Sequence, residues 1–85
     1  FSEILFVEAS GNYCKVVTVS ETIVIRDKIS NFSKKLSDSE FLQIHKSFIV
    51  AKKHINLIEG NRVKIGLHNI PVGKMYKKSL DNLFN

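Results

Sequence analysis

Short apolar runs separated by polar turns organise this chain. Ile4–Ala9 is nearly continuous apolar, which predicts a strand covered on both faces. Lys15–Val19 and Thr22–Arg26 are rich in β-branched residues and flank Ser20-Glu21, so they predict a tight hairpin. A helix is expected next. Asp27 is placed to cap it, Ile29, Phe32 and Leu36 recur at helical spacing, and Ser37-Asp38-Ser39 ends it.

Phe41–Ile44 and Phe48–Ala51 read as strands interrupted at His45-Lys46-Ser47. Ile55–Ile58 and Arg62–Leu67 flank Gly60-Asn61. In the second of these runs Val63, Ile65 and Leu67 alternate with Arg62, Lys64 and Gly66, which predicts one buried face and one wet, partly basic face. His68-Asn69 is expected to turn the chain into Ile70-Pro71-Val72, a short edge strand where a proline is tolerated. After Gly73, the stretch Lys74–Phe84 places Tyr76, Leu80, Leu83 and Phe84 on one side and predicts a C-terminal helix. Roughly seven short strands with two short helices give a mainly β domain. No internal repeat, linker or low-complexity tract interrupts it.

Length and composition bound the possibilities. The chain has 85 residues, 44% hydrophobic and 25% charged, values near those of soluble globular proteins. It is expected to form a single domain over residues 1–85 with a thin core, because domains of this size bury only roughly 60–65% of their unfolded surface. The apolar runs are far too short to cross a bilayer. Phe1 stands where Met would open a gene product, and no charged-then-apolar leader follows. The expectation is therefore a piece of a larger cytoplasmic protein.

Charge is unevenly spread. Residues 1–40 carry five basic and six acidic side chains, a net −1, whereas residues 41–85 carry eight and two, a net +6. A polyanion is a reasonable partner for such a half, either nucleic acid or an anionic membrane surface. A lysine-rich solvated face would give the same composition, since no cluster exceeds two consecutive lysines.

Enzymatic chemistry finds little support. The lone Cys14 lies in a strand-like run without a nucleophile motif and reads as a small buried filler or a thiol at a surface turn. His45, His54 and His68 lack metal-ligand spacing, and the four glycines are isolated, so neither a metal centre nor a phosphate loop is expected. No catalytic residue, metal or cofactor is assigned. Three polar interruptions carry more. They are Ser10–Lys15, His45-Lys46-Ser47, and Gly73-Lys74 running into Lys77 and Lys78. Each pairs a lysine with an amide, a hydroxyl or a backbone N–H. That combination suits DNA: a cation reaches guanine O6/N7 or a phosphate, asparagine pairs with adenine, and serine holds a phosphate. Each would also serve as an ordinary turn.

Taken in order, these segments resemble the LytTR family of bacterial DNA-binding domains. The resemblance rests on Ile4-Leu5-Phe6-Val7-Glu8-Ala9 followed by Gly11-Asn12-Tyr13, on the block from Phe41 through His45-Lys46-Ser47-Phe48-Ile49-Val50, and on Ile70-Pro71-Val72-Gly73-Lys74-Met75-Tyr76. It spans nearly the whole chain. It implies an elongated arrangement of small antiparallel β-sheets with one or two short helices, binding double-stranded DNA by loops inserted into successive major grooves. It further implies paired direct repeats in promoters, often bent DNA, and an N-terminal receiver or sensor domain in a two-component response regulator, with no membrane contact.

Carried over by position, the resemblance assigns the first loop's contacts to Asn12, Tyr13, Cys14 and Lys15, with Cys14 standing where some members read a base. Lys46, where the family commonly has arginine or asparagine, becomes the first base-reading candidate, and Ser47 holds an adjacent phosphate. His45 braces this loop. Lys74 stands at the family's usual arginine and becomes the second base reader. Gly73 through its N–H and Lys77 through its ammonium become backbone contacts. Useful specificity from one such module requires a second copy on an adjacent site. Two other classes compete: a β-rich protein-interaction module using its sheet edges, and a binder of RNA or single strands, which would need exposed aromatics beyond Tyr13 and Tyr76.

Overall fold

A computed structural model describes residues 3–83 of the chain. β1 (Ile4–Ser10), β2 (Tyr13–Thr18) and β3 (Thr22–Ile25) lead into α1 (Ile29–Lys35), then β4 (Phe41–His45) and β5 (Phe48–Ala51). A 3-10 turn at Lys52–His54 precedes β6 (Leu57–Glu59), β7 (Arg62–Ile65) and β8 (His68–Pro71). A second 3-10 turn, Lys74–Tyr76, runs into α2 (Lys77–Leu83).

The strands form two antiparallel sheets, one of order β3-β2-β1-β5-β4 and one of order β6-β7-β8. β1 is the middle strand of the larger sheet, which explains its unbroken apolar sequence: Phe6 and Val7 point to opposite faces and both are buried. An irregularity in the β1–β2 register between Ile4 and Phe6 shifts the alternation, so Ile4 joins Val7 on one face.

Each face carries its own core. On one, Ile4, Val7, Cys14, Val16, Ile49 and Ala51 pack with Phe41 and Leu36 under α1, whose Ile29 and Phe32 lean onto them. On the other, Phe6, Ile44 and Val50 meet Val63, Ile65 and Ile70 of the small sheet and Leu80 of α2. Each large aliphatic side chain removed from water contributes about 1.5–3 kcal/mol, so the small sheet is held mainly by this second cluster. The molecule measures 34 × 25 × 21 Å, a modest elongation, and its radius of gyration of 11.9 Å is that of a compact chain of this length.

The mainly β fold agrees with the sequence reading, with differences that have local causes. Leu67 is fully exposed rather than buried, because Gly66 takes a left-handed φ of +59° and ends β7 early. The turn therefore falls at Gly66-Leu67, and His68-Asn69, expected as the turn, opens β8 instead. β6 begins at Leu57, two residues later than expected, because Ile55 closes the preceding 3-10 turn. The single C-terminal helix splits into the 3-10 turn and α2. Leu80 supplies its buried contact, whereas Phe84 and the Leu83 side chain lie outside the described part. No described helix is long and apolar enough to cross a membrane.

Asp27 was expected to cap α1, but Lys28 occupies the cap position without a side-chain bond. The carboxylate instead accepts from the Lys28 N–H at 2.8 Å and from the Asn31 amide at 2.6 Å, with Lys35 3.6 Å away. The Asn31 amide first, then the Lys28 N–H and the Lys35 charge, hold the Asp27 pKa below the ordinary aspartate value. A depressed carboxyl pKa stabilises the fold at pH values above the unfolded pKa, and that contribution fades as pH falls through the native value. The thermal midpoint of Asp27→Asn should therefore lie below wild type at neutral pH, with the gap closing on acidification below about pH 4. A gap constant with pH would mean that the carboxylate charge plays no part.

Candidate nucleic-acid interface

Strand pairing brings the polar interruptions together. β1 and β2 are joined by Gly11-Asn12, with Ser10 opposite Tyr13 and Gly11 at a φ of +61°. This is the two-residue hairpin connection in which glycine takes the first central position. β5 also pairs with β1, placing Phe48 opposite Glu8, so the His45-Lys46-Ser47 turn stands at the same border of the sheet as Gly11-Asn12. The Ala9 N–H donates to the Ser47 carbonyl at 2.8 Å and ties the two turns directly.

The third connection is recruited through a bulge. Between Gln43 and His45 the β4–β5 register slips by one residue, leaving Ile44 as the extra residue of the bulged strand. Its side chain is fully buried in the second core, and its carbonyl accepts the Gly73 N–H at 2.7 Å. Gly73 thereby lies beside His45, close enough that a Cβ there would meet the Tyr76 ring at 3.0 Å and the His45 Cα at 3.5 Å. Lys74 follows in the 3-10 turn and is exposed.

His45 organises the middle turn. Its Nδ1 accepts the Ser47 N–H at 3.0 Å, so the neutral ring carries its proton on Nε2, and the ring packs edge-on against Phe48 with centroids 5.5 Å apart. The Gln43 amide donates to the His45 carbonyl at 3.2 Å. With its backbone fastened at both ends, the turn presents Lys46 to solvent, while Ser47 is half-buried.

Asn12, Tyr13, Lys15, Lys46, Lys74 and Lys77 are all exposed. Lys15 lies across from Glu8 in the sheet register, yet the one ion pair within 4 Å among the described residues is Lys35–Asp27. The lysines at this border are therefore not neutralised by contact ion pairs. Among the described residues no three His, Cys, Asp or Glu side chains converge on a point.

Three expectations need correction. Cys14 is fully buried: it shares a face with Val16 in the α1-side core, and its Sγ–H donates to the Asp27 carbonyl at 3.3 Å. It cannot meet a base. The period-two alternation Tyr13, Cys14, Lys15, Val16 already carried that signal. The Gly73 N–H, expected to face a phosphate, is spent on the Ile44 carbonyl. Tyr76, expected to be free, is half-buried beside Gly73.

The arrangement sets exposed Lys46 and Lys74 on connections, and Lys15 near the first turn, along one border of the five-stranded sheet, where their charges can hold an anion. The LytTr DNA-binding domain family matches this chain over residues 1–85, and the chain belongs to that family. It is 27% identical over 89 residues to the sensory transduction protein LytT of Bacillus subtilis and 31% identical over 87 residues to LytT of Bacillus anthracis. These alignments cover 98% and 95% of the chain but only 37% and 35% of the relatives, so the chain spans little more than a third of their length. A solved LytTr DNA-binding domain from Bacillus cereus shares the fold, with a TM-score of 0.90 at 22% identity over 99% of this chain and 83% of that one.

Burial, and secondarily the Asp27 charge, raise the Cys14 pKa above its ordinary value. Alkylation of the native protein by iodoacetamide should therefore track global unfolding; prompt labelling under native conditions would contradict the buried placement. His45→Ala removes the acceptor for the Ser47 N–H and the ring packed on Phe48. It should lower stability by about 1–2 kcal/mol in denaturant titration. An unchanged midpoint would show that the turn does not depend on its brace.

Proposed function

We propose that this chain is the output domain of a bacterial transcriptional response regulator and binds double-stranded DNA sequence-specifically by inserting its turns into the major groove. The observation that supports the reading is that Lys46 and Lys74, on connections, and Lys15, near the start of β2, lie far apart in sequence yet at one border of the fold. Family membership supports the DNA-binding class, and the charge of residues 41–85 supports an anionic partner.

In this reading Lys46 and Lys74 read base edges, reaching guanine O6/N7 as single ammonium donors without the planar fork of arginine. Asn12 offers an amide of the kind that pairs with adenine. Tyr13, Lys15, Ser47 and Lys77 hold phosphates or sugars and set the register. Cys14 acts only from within, fixing the strand that carries its two neighbours. The 34 Å long axis is close to one turn of duplex. One module covers about 600–1,000 Å² of interface, and two copies on adjacent direct repeats supply the remaining specificity. A receiver or sensor domain preceding this one would couple that binding to a signal.

A protein-interaction reading draws on one feature. Edge strand β3 exposes Ile23, Val24 and Ile25, with Val24 58% exposed. β3 lies at the β2 side of the sheet, away from β4 and Gly73, but Val24 stands opposite Lys15, so a partner on this edge would adjoin the first DNA-contacting strand.

Selection of bound duplexes from a random library should recover short paired direct repeats about one or two helical turns apart. Against the recovered duplex, Lys46→Ala should weaken binding by about 1–3 kcal/mol and relax one base position. Lys77→Ala should weaken all duplexes alike and flatten the salt slope by about one unit. With roughly five phosphate contacts, log K should fall with log[salt] at a slope near −4 to −5. Identical binding by Lys46→Ala, Lys74→Ala and wild type would refute the loop assignment.

A further inference from the structure

A fourth connection reaches the same border. β6 and β7 are joined by Gly60-Asn61, with Glu59 opposite Arg62 in the register and Gly60 at a φ of +60°. This repeats the Gly11-Asn12 turn of the large sheet: a two-residue Gly-Asn hairpin with a left-handed glycine. Both hairpins also carry a cross-strand pair of opposite charge near the turn, Glu8–Lys15 in one and Glu59–Arg62 in the other. Its position is fixed by hydrogen bonds. The Asn61 carbonyl accepts the Val72 N–H at 2.7 Å, and the next N–H along, that of Gly73, is held by Ile44 at 2.7 Å. Arg62 lies opposite Pro71, three residues from Lys74. Ala9–Ser47, Ile44–Gly73 and Val72–Asn61 thus stitch four turns into one continuous row.

We infer that the Gly60-Asn61-Arg62 turn is a fourth phosphate-binding element, in which the Arg62 guanidinium grips the duplex backbone beyond the Lys74 contact. The inference rests on the DNA-binding reading and extends it. Arg62 and Asn61 are exposed, and Arg62 makes no ion pair within 4 Å, although Glu59 is its cross-strand partner. A guanidinium presents parallel N–H donors that match two phosphate oxygens. Glu59 places a like charge close to any phosphate bound there, so it opposes binding and limits the strength of the contact. Because no base edge is involved, the contribution is independent of sequence. This element therefore governs overall affinity and salt dependence, while Lys46 and Lys74 govern base choice.

The test uses the 85-residue chain with two duplexes, the selected repeat and a mixed-sequence control, titrated at several salt concentrations. Arg62→Gln should reduce the slope of log K against log[salt] by about 0.9 on both duplexes, and Arg62→Lys should restore most of it. Glu59→Gln should tighten binding to both duplexes. Lys53→Gln is the charge-matched control. Lys53 is exposed and follows Ala51, which pairs with Phe41 at the border away from the turns, so its loss should leave the slope nearly unchanged. Equal effects of Arg62→Gln and Lys53→Gln would overturn the inference, leaving only net charge. A larger loss on the selected duplex than on the control would also overturn it, because Arg62 would then be reading bases. Failure of the wild-type chain to bind any duplex would instead overturn the DNA-binding reading itself.

Discussion

The hydrogen bond from the Gly73 N–H to the Ile44 carbonyl joins the two halves of this molecule. Antiparallel pairing alone gathers the β1–β2 and β4–β5 turns, because both hairpins share β1 or its neighbour β5. Nothing in that pairing dictates where the small sheet sits. The bulge at Ile44 removes one carbonyl from the β4–β5 ladder and offers it sideways, while the same residue's side chain anchors the second core. A buried carbonyl without a partner is costly, so the Gly73 strand end is drawn to that point. Gly73 is held beside His45 as a result, and Lys74 and Lys46 are the next residues along their two connections.

This joint also explains the choice of small and polar residues around it. Gly73 has an ordinary extended backbone, with φ −73° and ψ 146°, so its requirement is spatial and not conformational. A Cβ there would crowd the Tyr76 ring at 3.0 Å while resting in ordinary contact with the His45 backbone. His45 is kept off the surface by its two duties, accepting from Ser47 and packing on Phe48. Rigid backbone beneath Lys46 matters because a lysine on a mobile loop would lose more conformational freedom on binding.

Much of this was legible in the sequence, and the failures are instructive. Apolar runs and polar breaks marked nearly every strand, and the lysines at the breaks marked three of the connections. Positional correspondence assigns Cys14 to DNA, whereas the alternation Tyr13, Cys14, Lys15, Val16 aligns it with Val16 in the core. The alternation makes Gly66 one more outward position of a strand, but a glycine has the conformational freedom to end the strand, and at a φ of +59° it does. Gly60-Asn61 is legible in the sequence as a turn between two strands, but its place beside the other connections is a long-range property. Two hydrogen bonds, one from Val72 and one to Ile44, bring it alongside residues far from it in the chain. No periodicity encodes those.

Where the polypeptide enters the sheet has a bearing on how such a module can be joined to others. Ile4 begins β1 at the end opposite the Gly11-Asn12 turn, and the Glu3 carbonyl is bonded to the Val19 N–H beside the β2–β3 turn. The first described residues thus stand at the rear of the molecule, with the full length of β1 between the point where the strand begins and the lysine row at the front.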